Sequence, residues 1–272
     1  MDPLFAVLVV LIGAAVGFAA GLLGIGGGMI LAPLLAMLLT WQQMPQELVV
    51  HAAIATAMAT ILFTSLSSVR AHHRRGNIVW PVVAGMTPGV IIGGLLVGGA
   101  LFAVLKTAWL ALFFSVFVAF NAYRMLTHKP VEGVSRSLPG WAGMFGVGAA
   151  IGGVSGLVGA GGGFLTVPFM ARCSVPMHRA IGTSAAIGFP IALANCIGYI
   201  YSGWDVRTGY PGMIGFIYWP ALVLFTCASV ITAPMGARMT TRLPVATLKR
   251  VFACLLFTLA AYMGWQAIKA FG

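Results

Sequence analysis

The chain has 272 residues, 60% hydrophobic and 7% charged, with 15 Lys and Arg against 4 Asp and Glu for a formal net charge of +11. A water-soluble domain carries about a quarter charged residues, so this composition excludes a soluble globular protein. The apolar runs are long, continuous and rich in Gly, Ala and Leu, which excludes a barrel of alternating strands of about ten residues and leaves helices in lipid.

The N-terminus, Met1-Asp2-Pro3-Leu4, lacks the basic region of a cleaved signal peptide, so the first apolar run is expected to be retained. Apolar runs fall near residues 4–39, 48–69, 78–102 and 108–127. A polar link at 128–138 follows, and further runs fall near 139–171, 180–200, 214–237 and 250–270. The expected organisation is a first transmembrane copy over 1–127, the linker 128–138, and a second copy over 139–272. Cys173, Cys196, Cys227 and Cys254 form no CxxC pair, so neither a disulfide framework nor a metal site is expected.

The two copies align residue by residue. Gly21-Leu22-Leu23-Gly24-Ile25-Gly26-Gly27-Gly28 matches Gly156-Leu157-Val158-Gly159-Ala160-Gly161-Gly162-Gly163, and Pro33 matches Pro168. Downstream, His51, Ala53, Ile54 and Thr56 match His178, Ala180, Ile181 and Thr183. Trp80-Pro81 recurs as Trp219-Pro220. Internal repeats of this kind in a membrane protein point to a transporter.

Charge decides between parallel and inverted copies. If each copy crosses the membrane an even number of times, the basic residues of the loops divide eight against seven. If the glycine-interrupted run starts and ends on one side, the second copy is inverted. Arg70, Arg74, Arg75, Arg124, Lys129, Arg136, Arg172, Arg179, Arg238, Arg242, Lys249 and Arg250 then share a face, twelve against three. The positive-inside rule selects the second arrangement, with both termini outside the cytoplasm. Residues 4–39 as one helix would reach roughly 54 Å, well beyond a 30 Å core, so a fold at the glycines is expected, re-entrant or crossing twice. The predicted fold is therefore an all-α polytopic membrane protein of two inverted repeats, each a glycine-broken helix hairpin plus three spanning helices.

The paired Gly-x-x-Gly-x-Gly-Gly-Gly blocks, each followed by an apolar stretch with Pro33 or Pro168, resemble the TauE/SafE family, as does His-Arg-Arg-Gly-Asn-Ile-Val-Trp at 73–80. This is also called the sulfite exporter or toluene-sulfonate uptake permease family. The resemblance covers nearly the whole chain. It implies transport of sulfite, sulfonates and related sulfur-containing anions.

The glycines carry chemistry of their own. Gly26, Gly27, Gly28 and Gly161, Gly162, Gly163 can reach positive φ and expose N–H groups in a concave nest suited to an anion. The helix arms beginning at Met29 and Phe164 would turn positive ends toward it. Close helix packing alone would also call for glycines. Thr56, Thr60, Thr64 and Ser68 share one helix face, with Thr183 and Asn195 at matching positions and Ser184 adjacent. Thr56, Thr183, Ser184 and Asn195 are candidate substrate ligands, though each hydroxyl could instead bond its own helix. His51 and His178, with Glu47 one turn before His51, are candidates for proton coupling or for a plain helix-end role. No Gly-Lys-[Ser/Thr] or HExxH pattern and no nucleophile–base set is present, so no cofactor and no enzyme activity are expected. The reading is a secondary transporter of small sulfur-containing anions in the cell inner membrane. Its partners are the anion and the bilayer, with no nucleic acid; a passive anion channel and an intramembrane enzyme remain as alternatives.

Overall fold

Each apolar run must satisfy its backbone polar groups internally once in lipid, and helices do so segment by segment. The computed structural model describes residues 3–23, 27–127, 137–204, 210–239 and 245–271. Asp2, Gly26, Lys129, Glu132, Arg136, Asp205, Arg207 and Arg242 lie outside the described residues, as does most of the linker. Among the described residues seven helices are long and apolar enough to cross a membrane, so the protein is an all-α polytopic membrane protein.

The first copy forms α1 (Pro3–Leu23), α2 (Gly28–Trp41), α3 (Gln46–Arg74), α4 (Trp80–Leu96), a short α5 (Phe102–Val104) and α6 (Thr107–Thr127). The second forms α7 (Trp141–Val158), α8 (Gly163–Arg172), α9 (Met177–Ser202), α10 (Trp219–Met239) and α11 (Val245–Phe271). The expected break is present in both copies. α2 has 14 residues and α8 has 10, each too short to span, and each starts at the last glycine of its block. Pro81, at the first turn of α4, suits a position where no intrahelical N–H is needed.

Two features were not foreseen. α4 passes through a π-helical turn at Val97–Leu101 before α5. The carbonyl of Gly98 in that turn accepts a hydrogen bond from Ser202 Oγ at 2.9 Å. The second copy also carries an antiparallel hairpin, β1 (Met213–Ile214) with β2 (Ile217–Tyr218), in register Met213 to Tyr218. It occupies the stretch over which the offset between copies rises from 127 to 139.

The principal helix pairs each take one member from each copy: α1 with α10, α4 with α7, α3 with α9, and α6 with α11. Exchanging the copies turns this set into itself. α1 and α10 run the same way, since Gly13 faces Phe225 and Gly17 faces Ser229 and Thr232. α4 and α7 do likewise, Gly85 facing Met144 and Gly93 facing Ala149. These seams are glycine-lined because backbones in lipid associate by close packing. A Cβ on Gly89 would run into the Phe145 carbonyl, and one on Gly152 into that of Val90. The corresponding helices α6 and α11 run oppositely: Trp109 stacks edge-on against Phe271 with centroids 5.2 Å apart, and Ser115 Oγ donates to the Ala260 carbonyl at 2.7 Å. α3 and α9 are also antiparallel. Asn77, just beyond the end of α3, abuts Gly182 near the start of α9. At the other end the rings of His51, Phe102 and Tyr199 are in series.

Candidate functional site

The two glycine breaks meet inside the bundle. Gly28, the first residue of α2, lies against the carbonyl of Gly159 so closely that no side chain fits between them. Gly159 in turn abuts the backbone of Ile54, and Gly161 faces Ile61, both on α3. From the other side Gly188 of α9 approaches the Gly161 carbonyl. The breaks therefore sit together between the two antiparallel central helices.

Local geometry at the breaks is matched in part. The Gly27 carbonyl accepts from Ile30 N at 3.1 Å and Leu31 N at 2.9 Å; the Gly162 carbonyl accepts from Leu165 N at 3.0 Å and Thr166 N at 2.8 Å. These are the same bonds at matched positions. The conformations differ, however. Gly162 has φ +74° and Gly159 +65°, both left-handed, whereas Gly27 has φ −72°, which any residue adopts. Of the two middle glycines, only Gly162 uses the positive φ open to it. Gly27 is needed for space instead, because a Cβ there would stand 2.8 Å from Val16 Cγ1.

Thr56 and Thr183 are both fully buried and make the same bond at different places. Thr56 Oγ1 accepts from Tyr218 N at 2.9 Å, and Thr183 Oγ1 accepts from Val79 N at 2.9 Å. Val79 and Tyr218 directly precede the repeated Trp-Pro pairs that open α4 and α10. Each central helix thus caps the entering chain of a helix in the other copy. Two other hydroxyls of the stripe serve their own helix: Thr60 Oγ1 donates to Ala57 O at 2.7 Å and Thr64 Oγ1 to Thr60 O at 3.2 Å. Ser184 is buried beside Thr183.

Asn195 is buried where α9 meets α7 and α4. Its Nδ2 donates to the carbonyls of Gly152 at 3.2 Å and Ile191 at 2.9 Å, while Oδ1 has no partner among the described residues. One turn on, Tyr199 donates its hydroxyl to the Gly156 carbonyl.

The two matched histidines have different surroundings. His51 is buried, with Nε2 3.1 Å from Phe102 O and 3.0 Å from Leu105 O, and Nδ1 3.2 Å from Glu47 O. The contact from Glu47 is its backbone carbonyl; its side chain is exposed. His51 therefore ties the start of α3 to the turn before α6, and its ring stacks on Phe216. His178 is exposed on the first turn of α9.

Two buried hydroxyls beside the second break were missed by reading the sequence. Ser155 Oγ and Thr166 Oγ1 have no hydrogen-bond partner among the described residues. The buried polar groups of the described interior include no Lys, Arg, Asp or Glu, so any ligand there would be held by neutral groups. Among the described residues no cluster of three His, Cys, Asp or Glu could hold a metal ion. At the hairpin end an open cavity of about 570 Å³ is lined by Trp41, Gln42, Tyr210, Tyr218 and Trp219. Tyr210 donates to Gln42 Oε1 there at 3.3 Å, and burial raises the phenol pKa of Tyr210 and Tyr218, keeping both protonated.

Comparison with known proteins finds a match to the family model described as sulfite exporter TauE/SafE, over residues 9–263. A protein of Haemophilus influenzae named probable membrane transporter protein is 37% identical over 260 residues, 95% of this chain and 98% of that one. A probable membrane transporter protein of Methanocaldococcus jannaschii is 24% identical over 94% of each chain. The Bacillus subtilis probable membrane transporter protein YdhB is 26% identical over 89% of this chain and 93% of its own. No solved structure matches the chain.

Proposed function

We propose that this chain, which belongs to the sulfite exporter TauE/SafE family, is a secondary carrier of small sulfur-containing anions, sulfite or organosulfonates, working by alternating access. That it is a membrane transporter follows from the family and from its relatives. The observation that carries the rest is the meeting of the two breaks. α2 and α8 both begin there, and helix N-termini hold anions with N–H groups and a positive dipole end. With no Lys or Arg among the buried described residues, binding by neutral donors would be weak enough to permit release.

Alternating access is supported by the pairing of copies. Corresponding helices α3 and α9 are antiparallel, as are α6 and α11, which is what inverted repeats require. The threonine caps lie at opposite ends of the bundle, Thr56 toward the hairpin and Thr183 toward the α3–α4 turn. Rocking one copy against the other about the central breaks would expose them to either side in turn. The positive-inside rule places the α3–α4 turn, with Arg70, Arg74 and Arg75, in the cytoplasm, and both termini outside.

Counterflow is the test. Proteoliposomes preloaded with unlabelled sulfite should transiently accumulate labelled sulfite above its equilibrium level. Equal, unsaturable entry into loaded and empty vesicles would establish a channel. No flux of any sulfur anion above protein-free liposomes would refute the substrate class.

A further inference from the structure

Hydroxyls in this bundle normally donate to a carbonyl three or four residues back. Thr40, Thr60, Thr64, Ser65, Thr87, Ser229, Thr232 and Thr258 all do so. That is the least costly arrangement for Ser and Thr on apolar helices. Ser155 and Thr166 depart from it. Ser155 is 2% exposed and Thr166 0%, yet neither hydroxyl bonds to any described group. Leaving two buried donors unused is unfavourable unless something else takes them.

Both flank the same feature. Ser155 Oγ lies 3.5 Å from the point where a Cβ on Gly162 would stand. Thr166 is four residues after Gly162, one turn along the same side of α8. Gly162 caps α8 in the left-handed conformation, and the amides of Gly163 and Phe164 that follow have no acceptor among the described residues. A left-handed glycine followed by helical residues turns successive N–H groups toward one point, which is an anion nest. The first copy has no counterpart. Ala20 and Leu31 stand at the positions matching Ser155 and Thr166.

We infer that the transported anion is held at the α7–α8 break rather than shared equally by both breaks. The hydroxyls of Ser155 and Thr166 donate to it together with the amides of Gly163 and Phe164. This rests on the carrier reading above and adds to it a location, a donor set and a stoichiometry of one anion per chain. Hydroxyl and amide donors from two helix ends suit an anion with at least two oxygen atoms, such as sulfite or the head of a sulfonate. A spherical halide would leave their directionality unused.

The test is calorimetric titration of the purified full-length protein with sulfite and with methanesulfonate at constant ionic strength. Ser155→Ala and Thr166→Val should each weaken binding about tenfold or more, since each removes a hydrogen bond to a charged group. Thr166→Ser, which restores the hydroxyl, should bind like the wild type. Without anion, Ser155→Ala and Thr166→Val should melt no lower than the wild type, because the hydroxyls they remove have no partner then. Wild-type affinity in both variants would overturn this site while leaving the carrier reading intact. A lower melting temperature without anion would also overturn it, by showing that the hydroxyls are structural. If the wild type binds neither anion, the carrier reading falls and the site with it.

Discussion

Thr56→Val tests the reciprocal caps most directly. Valine matches threonine in shape, so the change opens no cavity and removes only the acceptor of the Tyr218 N–H. That N–H belongs to a residue only 4% exposed, so no water replaces the lost partner. An unsatisfied buried donor costs about 1–3 kcal/mol, and the burial here places Thr56→Val near the upper end of that range. Thr183→Val strands the N–H of Val79, which is only half-buried, so it should cost nearer 1 kcal/mol. Thr60→Val is the control. Its hydroxyl donates to Ala57 O within its own helix, and removing it should cost less than about 0.5 kcal/mol. The two caps share no partner, so the double variant Thr56→Val/Thr183→Val should lose the sum within about 0.5 kcal/mol. Unfolding in mixed micelles titrated with SDS, followed by tryptophan fluorescence, measures all four. Equal losses in Thr56→Val and Thr60→Val would refute the cap, and a larger loss in Thr183→Val would refute the burial argument.

Ala at Gly162 should be worse tolerated than Ala at Gly27, read as folded yield after solubilisation: both meet a close side chain, Ile191 Cδ1 and Val16 Cγ1, but the first adds φ +74° where the second has φ −72°. Gly89→Ala should separate α4 from α7 and lower the melting temperature by several degrees, because the new methyl meets the rigid Phe145 carbonyl. His51→Ala should destabilise the fold, leaving carbonyls of Phe102 and Leu105 unpaired, while His178→Ala should be nearly neutral in the same melting assay. Single cysteines in a background without the four native ones should react with an impermeant thiol reagent from the cytoplasmic side at Arg75 and Arg172 and from the opposite side at Gln43 and Lys106. Reaction of all four from one side would refute the inverted arrangement.

The helix breaks were legible because a run of glycines in an overlong apolar segment has few other uses. The four apolar runs of each copy were legible because lipid-facing helices carry few polar residues between their ends. The work of Thr56 and Thr183 was not. On the sequence they stand as candidate anion ligands, and only the folded chain brings Val79 and Tyr218 beside them. The π-turn at Val97–Leu101 has no local sign beyond Gly98 and Gly99, and its fit depends on Gly198 and Ser202 from the other copy. The hairpin at Met213–Tyr218 was visible only as a change in offset. Gly27 was misjudged because matching sequence does not fix matching φ. Ser155 and Thr166 lie outside what the copies share, so the repeat does not point to them. The readable sign was a difference, hydroxyls in one copy where the other has Ala20 and Leu31.

The seam between α1 and α10 bears on how the chain is made. α1 leaves the ribosome well before α10, the helix it packs against, which begins at Trp219. At typical synthesis rates the interval is roughly ten to forty seconds. During that time the glycine face of α1, with Gly13 and Gly17, has only lipid or the insertion machinery to rest on. α4 waits less, since α7 follows it closely in the chain. α4 and α7 can therefore dock while α1 still waits for α10, so α1 settles into the bundle long after it has entered the membrane.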